Sequence, residues 1–142
     1  MTNSTNRKDD QQTPQRKTDH APDPYLYDLF ARILPNPKSF WITDLDLVLR
    51  DRAGNFMIVE VKRRLADPTH NQRTTLAVVD KLIKAGIEAT GGQVNVNGYT
   101  MNVSFKGSHL LQFENTTADD GRIFWDREEV TLEELARIMS FQ

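Results

Sequence analysis

Apolar residues recur along this chain with two different spacings, and each switch between them marks an element. In DPYLYDLFARIL, the residues Leu26, Leu29, Phe30, Ile33 and Leu34 follow the i, i+3, i+4 spacing of one helix face. Asp23 and Pro24 suit the start of that helix, and Pro35 and Pro37 suit its end. From FWITDLDLVL the period drops to two. Leu45, Leu47 and Leu49 fall on one side of a strand, and Asp44, Asp46 and Val48 on the other. RDRAGN is turn material, and FMIVEVKRR reads as a second strand. Helical spacing returns in ADPTHNQRTTLAVVDKLIKAGIEATGG. Asp67 and Pro68 are expected to start this helix, Leu76, Val79, Ile83 and Ile87 form its stripe, and Gly91-Gly92 end it. QVNV, the turn Asn97-Gly98 and YTMNVSF predict a hairpin in which Tyr99, Met101, Val103 and Phe105 alternate. SHLLQFE is expected to continue the sheet after Lys106-Gly107, and RIFW gives a short strand beyond the loop NTTADDG. TLEELARIMSF closes the chain with a helix, where Thr131 and Glu134 form a capping box.

This order (helix, two strands, long helix, several strands, helix) predicts an α/β layered domain with an antiparallel component. Residues 1–22 carry no large apolar side chain after Met1. They are read as a disordered polar tail, and residues 23–142 as a single domain.

Composition narrows the class. The 142 residues are 38% hydrophobic and 27% charged, as in an ordinary globular protein. A formal net charge of -2 gives no global case for nucleic acid, so any basic surface must be local. The absence of cysteine excludes disulfides and thiolate metal sites. No apolar run approaches the roughly 20 residues of a membrane span, and no signal-peptide core is evident. A cytoplasmic protein without a membrane partner is expected.

The two strands in DLDLVLRDRAGNFMIVEVKRR raise a specific question. Paired antiparallel about Ala53, they set Asp46 opposite Glu60 and Asp44 opposite Lys62, all on one face. Burying three carboxylates with one ammonium group is unfavourable unless something neutralises them. A divalent cation does so, and Mg²⁺ takes one or two carboxylates together with water and phosphate oxygens. The bland alternative is a half-exposed hairpin with cross-strand ion pairs on its wet face, each contributing about 0.2–1 kcal/mol.

The arrangement resembles the PD-(D/E)xK nuclease superfamily, in which one strand bears an Asp and the next a Glu-x-Lys. Here the matching residues are Asp46 and Glu60-Val61-Lys62, and TDLDLVL followed by FMIVEVK is most similar to the Holliday-junction-resolvase-like and nuclease-related branches. Thr43 and Leu45 precede the two aspartates where the motif carries proline. The resemblance, over roughly residues 24–90, implies a restriction-endonuclease-like core: a mixed sheet with antiparallel hairpins flanked by helices. It implies a Mg²⁺-dependent nuclease acting on DNA, with Mn²⁺ as a substitute. Asp46 and Glu60 would bind metal with Asp44 as an accessory, and Lys62 would assist the attacking water.

Other residues join these by position. Gln72 stands one turn before Leu76 on the inward stripe of the long helix, where several branches of the family hold a Gln near the metal; a helix-start residue bonding to backbone is the equal alternative. Arg63, Arg64 and Arg73, with Lys81 and Lys84 beyond them, could form a local groove for the nucleic-acid backbone. Asp28 on the first helix reads as a surface acid, and His109 as structural. Phe124, Trp125, Phe141 and the last helix could make a homodimer patch. A catalytically silent nucleic-acid- or protein-binding module on the same fold is the alternative function.

Overall fold

The computed structural model of this chain describes residues 24–33, 35–36 and 45–142. The chain divides into two units, Met1–Ile42 and Thr43–Gln142. Of the first, the described element is helix α1, Pro24–Ile33, which begins at the proline the sequence marks. Asp44, Trp41 and the side chain of Asp28 lie outside the described residues.

The second unit is built on a five-stranded mixed sheet. In chain order its elements are β1 (Leu47–Arg50), β2 (Asn55–Lys62), α2 (His70–Thr90), β3 (Gln93–Val96), β4 (Tyr99–Asn102), β5 (Ser104–Phe113), β6 (Ile123–Trp125), β7 (Glu128–Val130) and α3 (Leu132–Met139). The sheet order is β1-β2-β5-β6-β7, while β3 and β4 form a separate two-stranded ribbon. β2 and β5 run parallel, joined through α2, and the other neighbours are antiparallel. The mixed α/β class expected from the pattern is the class observed.

The first hairpin forms in the expected register, with Leu47 opposite Val59 and Val48 opposite Ile58. Its turn is held by Asp51, whose carboxylate accepts from the Asn55 backbone N–H at 2.9 Å and from the Asn55 amide at 2.8 Å. Gly54 at φ +89 is obligatory there. A Cβ would stand 1.9 Å from the Asn102 carbonyl oxygen, against which the turn packs.

Along β2 the side chains alternate between two different environments. Met57 and Val59 enter an apolar core with Leu111, Ile123, Trp125 and Leu135, flanked by Leu47, Leu49, Val61, Ile138 and Phe141. Ile58, Glu60 and Lys62 face the other way, toward α2. Trp125 is buried in this core, and Phe141 packs against it half-buried. Phe124 is half-buried, with the Arg122 guanidinium 5.4 Å from its ring centre.

Three boundaries differ from expectation. α2 starts at His70, capped by Thr69 and not by Asp67, because Thr69 and Gln72 form a reciprocal capping box. Asp67 instead accepts from Arg127 at 2.8 Å and from Gln112 at 3.4 Å. Next, YTMNVSF is not one strand. The Val103 N–H donates to the Gly92 carbonyl, and one residue later the Ser104 N–H donates to the Gly54 carbonyl. The chain thereby leaves the ribbon and enters the main sheet, where β5 continues through Lys106 and Gly107 with a shift of register against β2. Finally, β7 has no forecast in the pattern. It follows a tight turn at Asp126 and Arg127, both at positive φ, where neither Gly nor Asn announces a hairpin. The capping box of α3, Thr131 with Glu134, is present as expected.

Candidate active site

The site lies where β2 leaves the sheet, on the face covered by α2. Alternation along β2 turns Glu60 and Lys62 to this face, each only 2% exposed. The Lys62 Nζ lies 3.0 Å from Glu60 Oε1. The register reading set Lys62 opposite Asp44, but the described partner is Glu60, two residues away on the same strand and face.

Gln72 completes the group from α2. It is 4% exposed, and its Nε2 donates to Glu60 Oε1 at 3.3 Å. The other end of the same amide, Oε1, accepts from the Thr69 N–H at 2.9 Å, while Thr69 Oγ1 accepts from the Gln72 N–H. The helix cap therefore orients the amide that touches Glu60. Gln72 is thus a helix-start residue bonded to backbone, and its side chain also reaches Glu60.

Asp46 stands just before β1, half-buried, with Oδ2 accepting from the Val61 N–H at 2.8 Å. That bond ties it to the strand between Glu60 and Lys62. The Glu60 carboxyl is held above its ordinary value, first because burial disfavours the charged form. The Lys62 hydrogen bond and charge pull the other way, and the negative charge of Asp46 adds to the rise. Glu60 Oε2 is buried and has no hydrogen-bond partner. An ionised, desolvated carboxylate oxygen without a donor is costly, and a bound cation or a proton removes that cost.

The arrangement suits a hard divalent cation. Asp46 and Glu60 supply two carboxylates, one with a free oxygen, and Mg²⁺ needs no more than one or two from the protein. Among the described residues no cluster of three or more His, Cys, Asp or Glu side chains stands together, and Asp44, the expected accessory, lies outside them. Lys62 sets a fixed positive charge beside the carboxylates.

Glu60 also lines an open cleft of about 640 Å³ between α2, the start of β5 and the β6–β7 turn. Arg73, expected to meet a nucleic-acid backbone, is exposed on the α2 wall of this cleft. Arg63 and Arg64 are exposed just after β2 and do not line it. The sequence reading missed Lys106 and Arg127, which do, because β5 and the unforeseen β6–β7 turn bring them there. His109, set aside as structural, also lines the cleft. Its ring stacks on Trp125 at 4.8 Å, with Nδ1 2.7 Å from Asp126 Oδ2 and Nε2 2.7 Å from the Lys106 carbonyl.

No family model, curated protein or solved structure matches this chain. Among the described residues no helix is long and apolar enough to cross a membrane.

Proposed function

We propose that this chain is a Mg²⁺-dependent nuclease of the PD-(D/E)xK kind that hydrolyses phosphodiester bonds of DNA. The observation that carries the reading is the buried set of Glu60, Lys62 and Gln72 beside the half-buried Asp46, with Glu60 Oε2 left unpartnered. A fold gains nothing in stability from desolvating such a group, and functional sites are where such costs recur.

Topology adds support. The strand that Asp46 immediately precedes pairs antiparallel with the Glu-x-Lys strand, and a helix then crosses to a parallel neighbour, the layout expected of a restriction-endonuclease-like core. Asp46 and Glu60 would hold the metal. When bound, Mg²⁺ supplies Lewis acidity toward a phosphoryl oxygen and acidifies its water. Lys62 places its ammonium where it can orient an attacking water or offset charge on the phosphate. Gln72, fixed by the Thr69 cap, keeps the Glu60 carboxylate in one orientation.

The test pairs cleavage with melting. Purified protein should cut some form of DNA with Mg²⁺ or Mn²⁺ and be inert in chelator. Mn²⁺ should raise the melting temperature of the wild type but not of Asp46→Asn, since a ligand of the folded state alone stabilises it. Absence of any metal-dependent cleavage across junction, flap, duplex and single-stranded DNA would overturn the nuclease reading. DNA binding that persists without cleavage would identify a catalytically silent binding module.

A further inference from the structure

The cleft above Glu60 has a charge pattern that the metal site does not require. Its walls carry Arg73, Lys81 and Lys84 from α2, Lys106 from β5 and Arg127 from the β6–β7 turn. Two of these are already engaged: Lys84 with Asp80 at 2.7 Å and Arg127 with Asp67 at 2.8 Å. Asp126, an acid on the same walls, is bonded to His109. Among the described residues Arg73, Lys81 and Lys106 have no carboxylate partner, and all three are exposed. A chain of net charge -2 thus keeps three unneutralised cations around one opening, whose lining includes the buried Glu60.

Arg73, Ala77 and Lys81 follow one another at four-residue spacing and line the same wall. The eight steps from Arg73 to Lys81 span about 12 Å of helix, a length of roughly three to four stacked nucleotides. Glu60 is almost fully buried and is one of the residues that line the cleft. A duplex is a stiff rod whose backbone stays on its outside, whereas an unpaired strand can bend into a groove and follow its cations.

We propose that this cleft seats an unpaired nucleic-acid strand, its phosphates on Arg73, Lys81 and Lys106, and brings the backbone to Glu60, the partner of Lys62. That the strand is cut there rests on the nuclease reading; that it is held there does not.

The test is binding by the full chain in chelator, so that no cleavage intervenes. The probes are a labelled oligothymidylate of about twelve nucleotides, within the span of known single-strand sites, and a blunt hairpin duplex. The oligothymidylate should bind at least about tenfold more tightly. The double charge reversal K81E/K106E should weaken it at least about tenfold and reduce the slope of log affinity against log salt by about 1.4, which is 0.7 per lost phosphate contact. Its melting temperature should match the wild type, because both side chains are exposed. Equal or tighter duplex binding, or unchanged affinity in K81E/K106E, overturns the proposal. Selective single-strand binding without metal-dependent cleavage would support the proposal and sink only the nuclease reading. Cleavage that survives while K81E/K106E binds like the wild type would do the reverse.

Discussion

The two faces of β2 are made by one strand under opposite rules. On the α3 side, Met57 and Val59 join Leu111, Ile123, Trp125 and Leu135 in a core free of charge. On the α2 side, the alternate residues Glu60 and Lys62 are buried, Glu60 against Gln72 and Lys62 against Glu60, with Gln112 also buried on the neighbouring strand. Both faces exclude water. One turns that exclusion into stability through apolar contact. The other spends it on holding charges where few competing dielectric effects weaken them. The apolar core and the candidate site are separated by one side chain's alternation, so the contacts of each can be altered without directly touching those of the other.

The largest effects should come from one truncation on each face. Leu111→Ala removes core contacts and should cost about 2–5 kcal/mol, nearly independent of pH. Lys62→Ala leaves Glu60 buried without its cation and should cost about 3–5 kcal/mol near neutral pH. That loss should shrink in acid, where Glu60 takes up a proton. A double change, Glu60→Gln with Lys62→Met, should restore much of the stability while leaving no cleavage. Denaturant titrations at neutral and acidic pH separate the two faces. If the Lys62→Ala loss were as pH-independent as that of Leu111→Ala, the contrast would fail.

A middle-sized effect concerns Glu60 alone in the metal-free protein. Its folded value is raised, so above its unfolded value near 4.5 the folded state keeps a proton that the unfolded chain has released. Its contribution to stability is therefore greatest below that value and falls as pH rises toward the folded value. Glu60→Gln cannot titrate, so its stability relative to the wild type should grow through this window and then level off. Paired unfolding curves across a pH series in chelator measure it. A difference that stays flat or reverses would mean that Glu60 is not held in the desolvated state described.

The smallest expected effect tests the link between cap and site. Thr69→Ala removes the acceptor of the Gln72 N–H and should cost about 1 kcal/mol. If the cap also orients the Gln72 amide, the same change should lower the Mn²⁺-induced rise in melting temperature by more than its effect on the metal-free protein accounts for. An unaltered metal response would mean that the Thr69 hydroxyl serves the helix alone and that the backbone N–H of residue 69 suffices to hold the amide.

Much of this was legible before any coordinates. The register about Ala53, the inward placement of Glu60 and Lys62, the inward Gln72 and both glycine-ended turns follow from alternation, helical spacing and turn chemistry, which are local. Less legible were the elements whose cause is distant. The break at Val103 is made by hydrogen bonds to Gly92 and Gly54, and the pattern Tyr99, Met101, Val103, Phe105 carries no trace of it. The β6–β7 turn uses Asp126 and Arg127 in a backbone conformation that the tertiary setting imposes, without the residues that usually mark it. The start of α2 was readable as Thr-x-x-Gln, but Asp67-Pro68 offered a competing signal one step earlier.

Sequence by itself determined which residues of β2 share a face, because the side-chain period of a strand is a property of its backbone. It could not determine which partner neutralises Lys62, since that depends on side-chain distances within a buried cluster. Nor could it gather Arg73, Lys81 and Lys106 around one opening. Those residues lie on α2 and β5, and only the parallel pairing of β5 with β2, through the crossover of α2, sets them above the same carboxylate. Local chemistry selects elements, whereas a site composed across three of them exists only once the sheet has closed its long-range pairings.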